Sequence, residues 1–150
     1  GSVMPLLIDR YKKNESFQIT DKRMTRFNIE LDQAINLSIS CLKNMHGGEL
    51  FVPKLKSFNV MDLAKAISKK NKIDIVGIRP GEKLHEEMIT ESDSLNTEEF
   101  KDYFVIHPSY RKFRKKIKKQ FSYNSYSNKN FLKIDEIKKL IINNKKDFVK

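Results

Sequence analysis

"GIRPGEKLHEEM", residues 77–88, closes a run of β-branched residues (Ile73, Ile75, Val76, Ile78) with a proline–glycine pair set among charges. β-Branched side chains suit extended backbone, so residues 73–78 are expected to form a strand. Pro80-Gly81 then turns the chain, because proline presets φ at the first turn position and glycine tolerates the positive φ of the second. A turn needs only those two residues. Arg79, Glu82 and Lys83 put three charges into five positions, and they call for a second explanation. After the turn, a helix is expected from Leu84 to Ile89.

Working outward, the chain alternates helix and strand, which gives an α/β or α+β class. Val3, Leu6, Leu7 and Tyr11 recur at helical spacing behind Ser2 as a cap. Phe17 to Thr20 reads as a short strand ended by a polar turn. A long helix is expected from about Asn28 to Met45, with Leu31, Ala34, Ile35, Leu42 and Met45 on its apolar side. His46-Gly47-Gly48 terminates it. Glu49 to Val52 is a strand stopped by Pro53. Asn59 to Asp62 resembles a capping arrangement for a helix carrying Val60, Leu63, Ala64 and Ile67. Asp102 to Ile106 is a further strand, and Ile134, Ile137, Leu140 and Ile141 mark a last helix.

With 150 residues, 39% of them hydrophobic, the chain can form one ordinary domain with a real core. No apolar run approaches the roughly 20 residues of a membrane span, and no signal peptide is visible, so the cytoplasm is the expected location. Cys41 is the single cysteine, read as a buried core thiol between Ile39 and Leu42. The net charge of +11 is uneven. Residues 1–108 hold 16 basic and 16 acidic side chains; residues 109–150 hold 14 basic and 3 acidic. The expected organisation is therefore a neutral body, 1–108, and a basic tail, 109–150, with a terminal helix. Such a tail can bind nucleic acid by counterion release; a solvated surface segment is the plainer reading.

The charges of the turn have a specific chemistry. Guanidinium is planar and permanently charged, and its forked donors match phosphate oxygens. A carboxylate three residues on can accept hydrogen bonds from vicinal hydroxyls, as on ribose. Arg79 and Glu82, spaced by Pro80-Gly81, could thus hold a nucleoside diphosphate. The alternative is an exposed Arg79–Glu82 ion pair, contributing at most about 1 kcal/mol. Spacing alone leaves both open. Glu86 and Glu87 are adjacent and point apart, so they do not form an acid/base pair. His46, His85 and His107 show no metal-ligand spacing with one another or with Cys41.

Taken together, "GIRPGEKLHEEM", "ITDKRMTRF" (19–27) and "HGGELFVPK" (46–54) closely resemble the inverting UDP-N-acetylglucosamine 4,6-dehydratases. These are polysaccharide-biosynthesis members of the extended short-chain dehydrogenase/reductase superfamily. The resemblance runs from "GSVMP" (1–5), whose Gly-Ser matches the family interior, to "YNSYSNKNFLKIDEIKKLI" (123–141). The stretch 111–119, with seven basic residues in nine, is the least family-like part, and Asn28 replaces an aromatic residue often found there.

The resemblance implies an α/β fold that is the C-terminal substrate-binding portion, lacking most of the Rossmann domain. It implies that Arg79 grips the diphosphate of a UDP-sugar and Glu82 the ribose. Arg26 would add a second cation, Thr20 would line the nucleotide site, and Val3 would lie nearby. Lys83, His85, Glu86 and Glu87 look like supporting or surface residues. Complete enzymes of the family use NADP to oxidise the sugar at C4, eliminate water across C5 and C6, and return the hydride. No glycine-rich dinucleotide turn is present here, and no tyrosine is followed four residues later by lysine; Tyr110 has Arg114. No cofactor is therefore expected for this chain alone, and no activity. The expected partners are a UDP-sugar, a separate chain supplying the Rossmann half, and further copies when complete, with neither membrane nor nucleic acid. Without that half, the first helix and the strand at 17–20 should leave apolar surface bare, including Leu6, Leu7 and Ile8, and so promote association. Two other readings remain: a UDP-sugar 4-epimerase fragment on the same scaffold, and a basic nucleic-acid-binding protein.

Overall fold

The computed structural model describes residues 3–112, 117 and 119–143. Helix α1 (Val3–Lys12) buries Met4 and Leu7 and leads into strand β1 (Phe17–Ile19), which buries Phe17 and Ile19 and exposes Gln18. That alternation is the period of a strand with one covered face. Next come β2 (Thr25–Asn28), α2 (Leu31–Asn44), β3 (Leu50–Pro53), β4 (Lys56–Asn59) and α3 (Val60–Ile67). Asn59 caps α3 by accepting from the Met61 N–H at 2.7 Å. The order continues with β5 (Ile73–Ile75), β6 (Glu87–Ile89), the single turn α4 (Glu91–Ser94), β7 (Thr97–Glu99), β8 (Tyr103–Ile106), β9 (Tyr123–Asn124) and α5 (Ile134–Asn143).

β1 and β5 pair in parallel, Phe17 opposite Ile73 and Ile19 opposite Ile75. The other pairings are antiparallel: β2 with β4, β6 with β9, and β8 between β3 and β7. The larger core gathers Leu7, Phe17, Ile19, Phe58, Leu63, Leu132 and Ile137, so α1, α3, α5 and the parallel pair close around one centre. A smaller core unites Val52, Ile89, Phe104 and Tyr123. Packing crosses residue 108: Leu132 and Ile137 belong to the first core and Tyr123 to the second. The Leu132 N–H donates to the Ser57 carbonyl at 2.7 Å, and the Ser57 N–H donates to Asn130 at 2.8 Å. Most of the basic stretch 111–119, and the cap expected at Ser2, lie outside the described residues.

Several expectations need correction. Residues 84–89 do not form a helix; Glu87–Ile89 is strand β6, paired with β9, and a partner 34 to 37 residues away overrides the local helix preference of Glu and Met. The long helix begins at Leu31, because residues 25–28 pair with β4. Pro53 lies within β3 rather than after it, and β5 ends at Ile75, with Val76 to Arg79 exposed. Leu7 is fully buried, while Leu6 is 52% exposed. Cys41 is half-buried, not a core thiol, and burial raises its pKa.

A bare apolar stripe falls on α2. Glu30 and Gln33 form a capping box at its start, yet none of its residues is buried. Leu31, Ile35, Ile39, Leu42 and Met45 recur along one face and are all exposed, Leu31 at 73% and Leu42 at 72%. An amphipathic helix normally turns such a stripe to a core.

Candidate functional site

The quoted motif forms a compact turn. The Glu82 N–H donates to the Arg79 carbonyl at 3.0 Å, and Gly81 has φ +80°, which with Pro80 before it matches a type II turn. The Glu82 carboxylate folds back over it. One oxygen accepts from the Thr20 hydroxyl at 3.0 Å, the other from the Arg79 backbone N–H at 3.3 Å. A carboxylate offers about four acceptor positions, so capacity remains for ligand hydroxyls. The Arg79 guanidinium is exposed and has no hydrogen-bond or ion-pair partner among the described residues. The Arg79–Glu82 side-chain ion pair, the plain alternative, is not formed. Arg10, Arg23, Arg26 and Arg111 each have a carboxylate partner.

Arg26 sits beneath the turn. Its Nη1 donates to the carbonyls of Thr25 (2.7 Å) and Leu84 (3.2 Å), its Nη2 to Lys83 (3.0 Å), and its Nε lies 3.3 Å from Glu86. Most of its donors are occupied by protein, so Arg26 clamps residues 83–86 and leaves little for a phosphate. Val3, half-buried against the larger core, is not among the residues hydrogen-bonded around the turn.

A second layer went unread in the sequence. The Thr25 hydroxyl lies 2.8 Å from His85 Nδ1 and 2.7 Å from the Ser125 hydroxyl. Ser125 accepts from the Glu86 N–H at 2.9 Å, and the Tyr126 ring packs against His85, tilted by 32° with centroids 4.7 Å apart. Thr25 and Ser125 are both buried. Burial first, then Arg26 and Arg23, lower the His85 pKa, and Asp21 opposes them. Asp21 itself is held down to about 2 by the Arg23 side chain, which bonds both carboxylate oxygens. Thr25 stood in the "MTRF" segment and His85 in the motif itself, but Ser125 and Tyr126 lie in a polar stretch with no local signal. Only folding brings residues 25, 85 and 125 together.

Elsewhere, a groove of about 580 Å³ lined by Asn28, Lys54, Lys56, Asn130, Glu136 and Lys139 contains none of these residues. Two of its lysines already pair, Lys54 with Glu99 and Lys56 with Glu136. Among the described residues there is no cluster of His, Cys, Asp and Glu able to hold a metal ion. No helix among them is long and apolar enough to cross a membrane.

The profile of the family described as polysaccharide biosynthesis protein matches residues 1–108. The chain belongs to that family. It is 40% identical over 143 residues to the UDP-N-acetylglucosamine 4,6-dehydratase (inverting) of Campylobacter jejuni, covering 85% of this chain and 43% of that protein. It is 33% identical to the UDP-glucose 4-epimerase of Rickettsia bellii, covering 95% and 46%. The X-ray structure of Pen from Bacillus thuringiensis superposes with a TM-score of 0.81 at 33% identity, over 95% of this chain and 45% of that one. These matches support the extended short-chain dehydrogenase/reductase resemblance and a mixed α/β unit that is part of a larger fold. The chain spans less than half the length of these relatives.

Proposed function

We propose that this family member is the UDP-sugar-binding part of an inverting UDP-N-acetylglucosamine 4,6-dehydratase of surface polysaccharide or glycan biosynthesis. The observation that carries the reading is the unpaired Arg79 guanidinium beside a Glu82 carboxylate that Thr20 and the turn hold in place. Arg79 grips the diphosphate and Glu82 accepts from the ribose hydroxyls; Arg26 positions the turn from below. The described residues do not fit NADP. Among them the positive-φ glycines are Gly47, Gly48, Gly77 and Gly81, none at a strand-to-helix turn where a pyrophosphate would rest on a helix N-terminus. On this reading NADP and the catalytic residues reside in a Rossmann half, and the bare stripe of α2 fits a unit that packs against further protein. A UDP-sugar 4-epimerase on the same scaffold is the second reading, favoured by the Rickettsia match.

Calorimetric titration with UDP and 2′-deoxy-UDP tests it, on this chain and on this chain joined to a Rossmann half from a related enzyme. Arg79→Ala should weaken binding by about 1.5–3 kcal/mol, the size of a hydrogen bond to a charged group. Glu82→Gln should cost less, and less still with the deoxy ligand. Equal, negligible effects in both proteins would remove the ligand reading. The chain alone should form no 4-keto-6-deoxy sugar with NADP, and detecting that product would overturn the assignment of catalysis elsewhere.

A further inference from the structure

Resting on the diphosphate reading above, we propose that His85 is a further ligand-facing residue of this site, its Nε2 donating a hydrogen bond to an anionic oxygen of the bound nucleoside diphosphate. The ring is held on one side and open on the other. Nδ1 is tied to the Thr25 hydroxyl at 2.8 Å, and the tilted Tyr126 ring packs against the imidazole. Nε2 meets no partner among the described residues and is not one of the sealed, unsatisfied polar atoms, so it opens to solvent. A histidine with one nitrogen anchored and the other presented is oriented for a ligand.

The surroundings select an anion. Arg79 is unpaired three residues before Glu82, and His85 follows three residues after it. The same 20–26 segment holds both ends: Thr20 bonds Glu82, and Thr25 bonds His85. Arg26, the cation expected to share the diphosphate, commits most of its donors to the Thr25, Lys83 and Leu84 carbonyls and to Glu86, which leaves room for a further donor beside Arg79. The hydroxyl network accepts a proton at Nε2 in either charge state. With His85 neutral, Thr25 donates to Nδ1 and Ser125 donates to Thr25. With His85 charged, Nδ1–H donates to Thr25, Thr25 to Ser125, and Ser125 to the Thr25 carbonyl at 3.2 Å. No buried hydroxyl is left unpaired. The charged groups facing the ring are Arg26 and Arg23, which oppose its protonation, and Asp21, which favours it. Both arginines stay charged throughout, and Asp21, held at about 2, is ionised well above that pH. Protonation with ligand bound therefore belongs to the ring.

The test is titration with UDP-N-acetylglucosamine, whose doubly esterified diphosphate does not itself titrate between pH 5.5 and 8. An anion within reach raises a neighbouring histidine pKa by about one unit, so the wild-type chain should bind several-fold, with a ceiling of about tenfold, more tightly at pH 5.5 than at pH 8. H85Q should bind with little pH dependence, and NMR of the wild-type chain should show the His85 ring pKa rising on saturation. Arg79→Ala should lose affinity at both pH values. An unmoved His85 pKa, or an unchanged pH dependence in H85Q, overturns the His85 assignment while the Arg79 loss keeps the diphosphate reading. Absence of binding by the wild type both alone and joined to a Rossmann half, or Arg79→Ala binding equally well, overturns both.

Discussion

Ile137→Ala asks whether the chain beyond residue 108 is a solvated tail or part of the folded body. Ile137 is 1% exposed, in the core that also holds Leu7, Leu63 and Leu132, and α5 packs on α3. The substitution deletes three carbons. At about 0.8 kcal/mol per buried methylene-sized group the transfer loss is about 2.4 kcal/mol, before any cavity term. Measured isoleucine-to-alanine losses in cores run about 2–5 kcal/mol, so about 3 kcal/mol is expected. Ile142, on the same helix but 61% exposed, is the control, and its alanine variant should fall within about 0.5 kcal/mol of wild type. In urea, with m of about 2 kcal/mol/M, the Ile137 variant should lose about 1.5 M of midpoint at unchanged m. Indistinguishable midpoints for the two variants would refute the packing of α5 into the core.

Three further outcomes follow from exposure and charge. Glutamate at both Leu31 and Leu42 should leave the urea midpoint of this chain nearly unchanged while reducing its association in sedimentation, since both side chains are bare; a large drop in midpoint would mean the stripe is packed. His85 has a folded pKa below its ordinary 6.5, so the unfolded chain takes up the proton first. Stability should therefore fall as pH drops through about 6.5, down to the folded value, and H85Q should flatten that step in thermal unfolding. Asp21, lowered to about 2 by Arg23, contributes fully above about 3.8 and loses that contribution as pH falls towards 2.

The parts legible in the sequence were those with local chemistry. α1, β1, the Asn59 cap, α3 and α5 follow from periodicity and capping, and the Arg79–Glu82 turn from Pro80-Gly81. The short strands β4, β7 and β9 carry little pattern of their own and exist because a partner lies alongside. Beyond residue 108 the charge count does not show which described residues pack: Tyr123, Leu132 and Ile137 join the two cores. At the site, the residue types were readable and their division of labour was not. The resemblance implied Arg26 as a second cation for the diphosphate; in the structure its guanidinium donates to the carbonyls of Thr25 and of Lys83 and Leu84, 57 and 58 residues away.

That division of labour bears on what a partial fold can do. The elements that shape the turn all lie within the chain: Thr20 at the end of β1, Arg26 on β2, and Ser125 just past β9. The Thr25–Ser125 contact spans 100 residues and fixes His85 and Glu86 without help from any other polypeptide. The surfaces left bare, the α2 stripe and the exposed Ile75, Val76 and Ile78, are apolar and carry none of this polar chemistry. A parallel strand pair such as β1–β5 is ordinarily part of a larger sheet covered on both faces. On the proposed reading, recognition of the nucleotide end lies within this unit, and stability is what further protein would add. A Rossmann half supplied in trans should accordingly raise the unfolding midpoint of this chain more than it raises affinity for UDP. If it raised affinity a hundredfold and left the midpoint unmoved, the pocket would have to be shared across the two halves, and the turn would be only one wall of it.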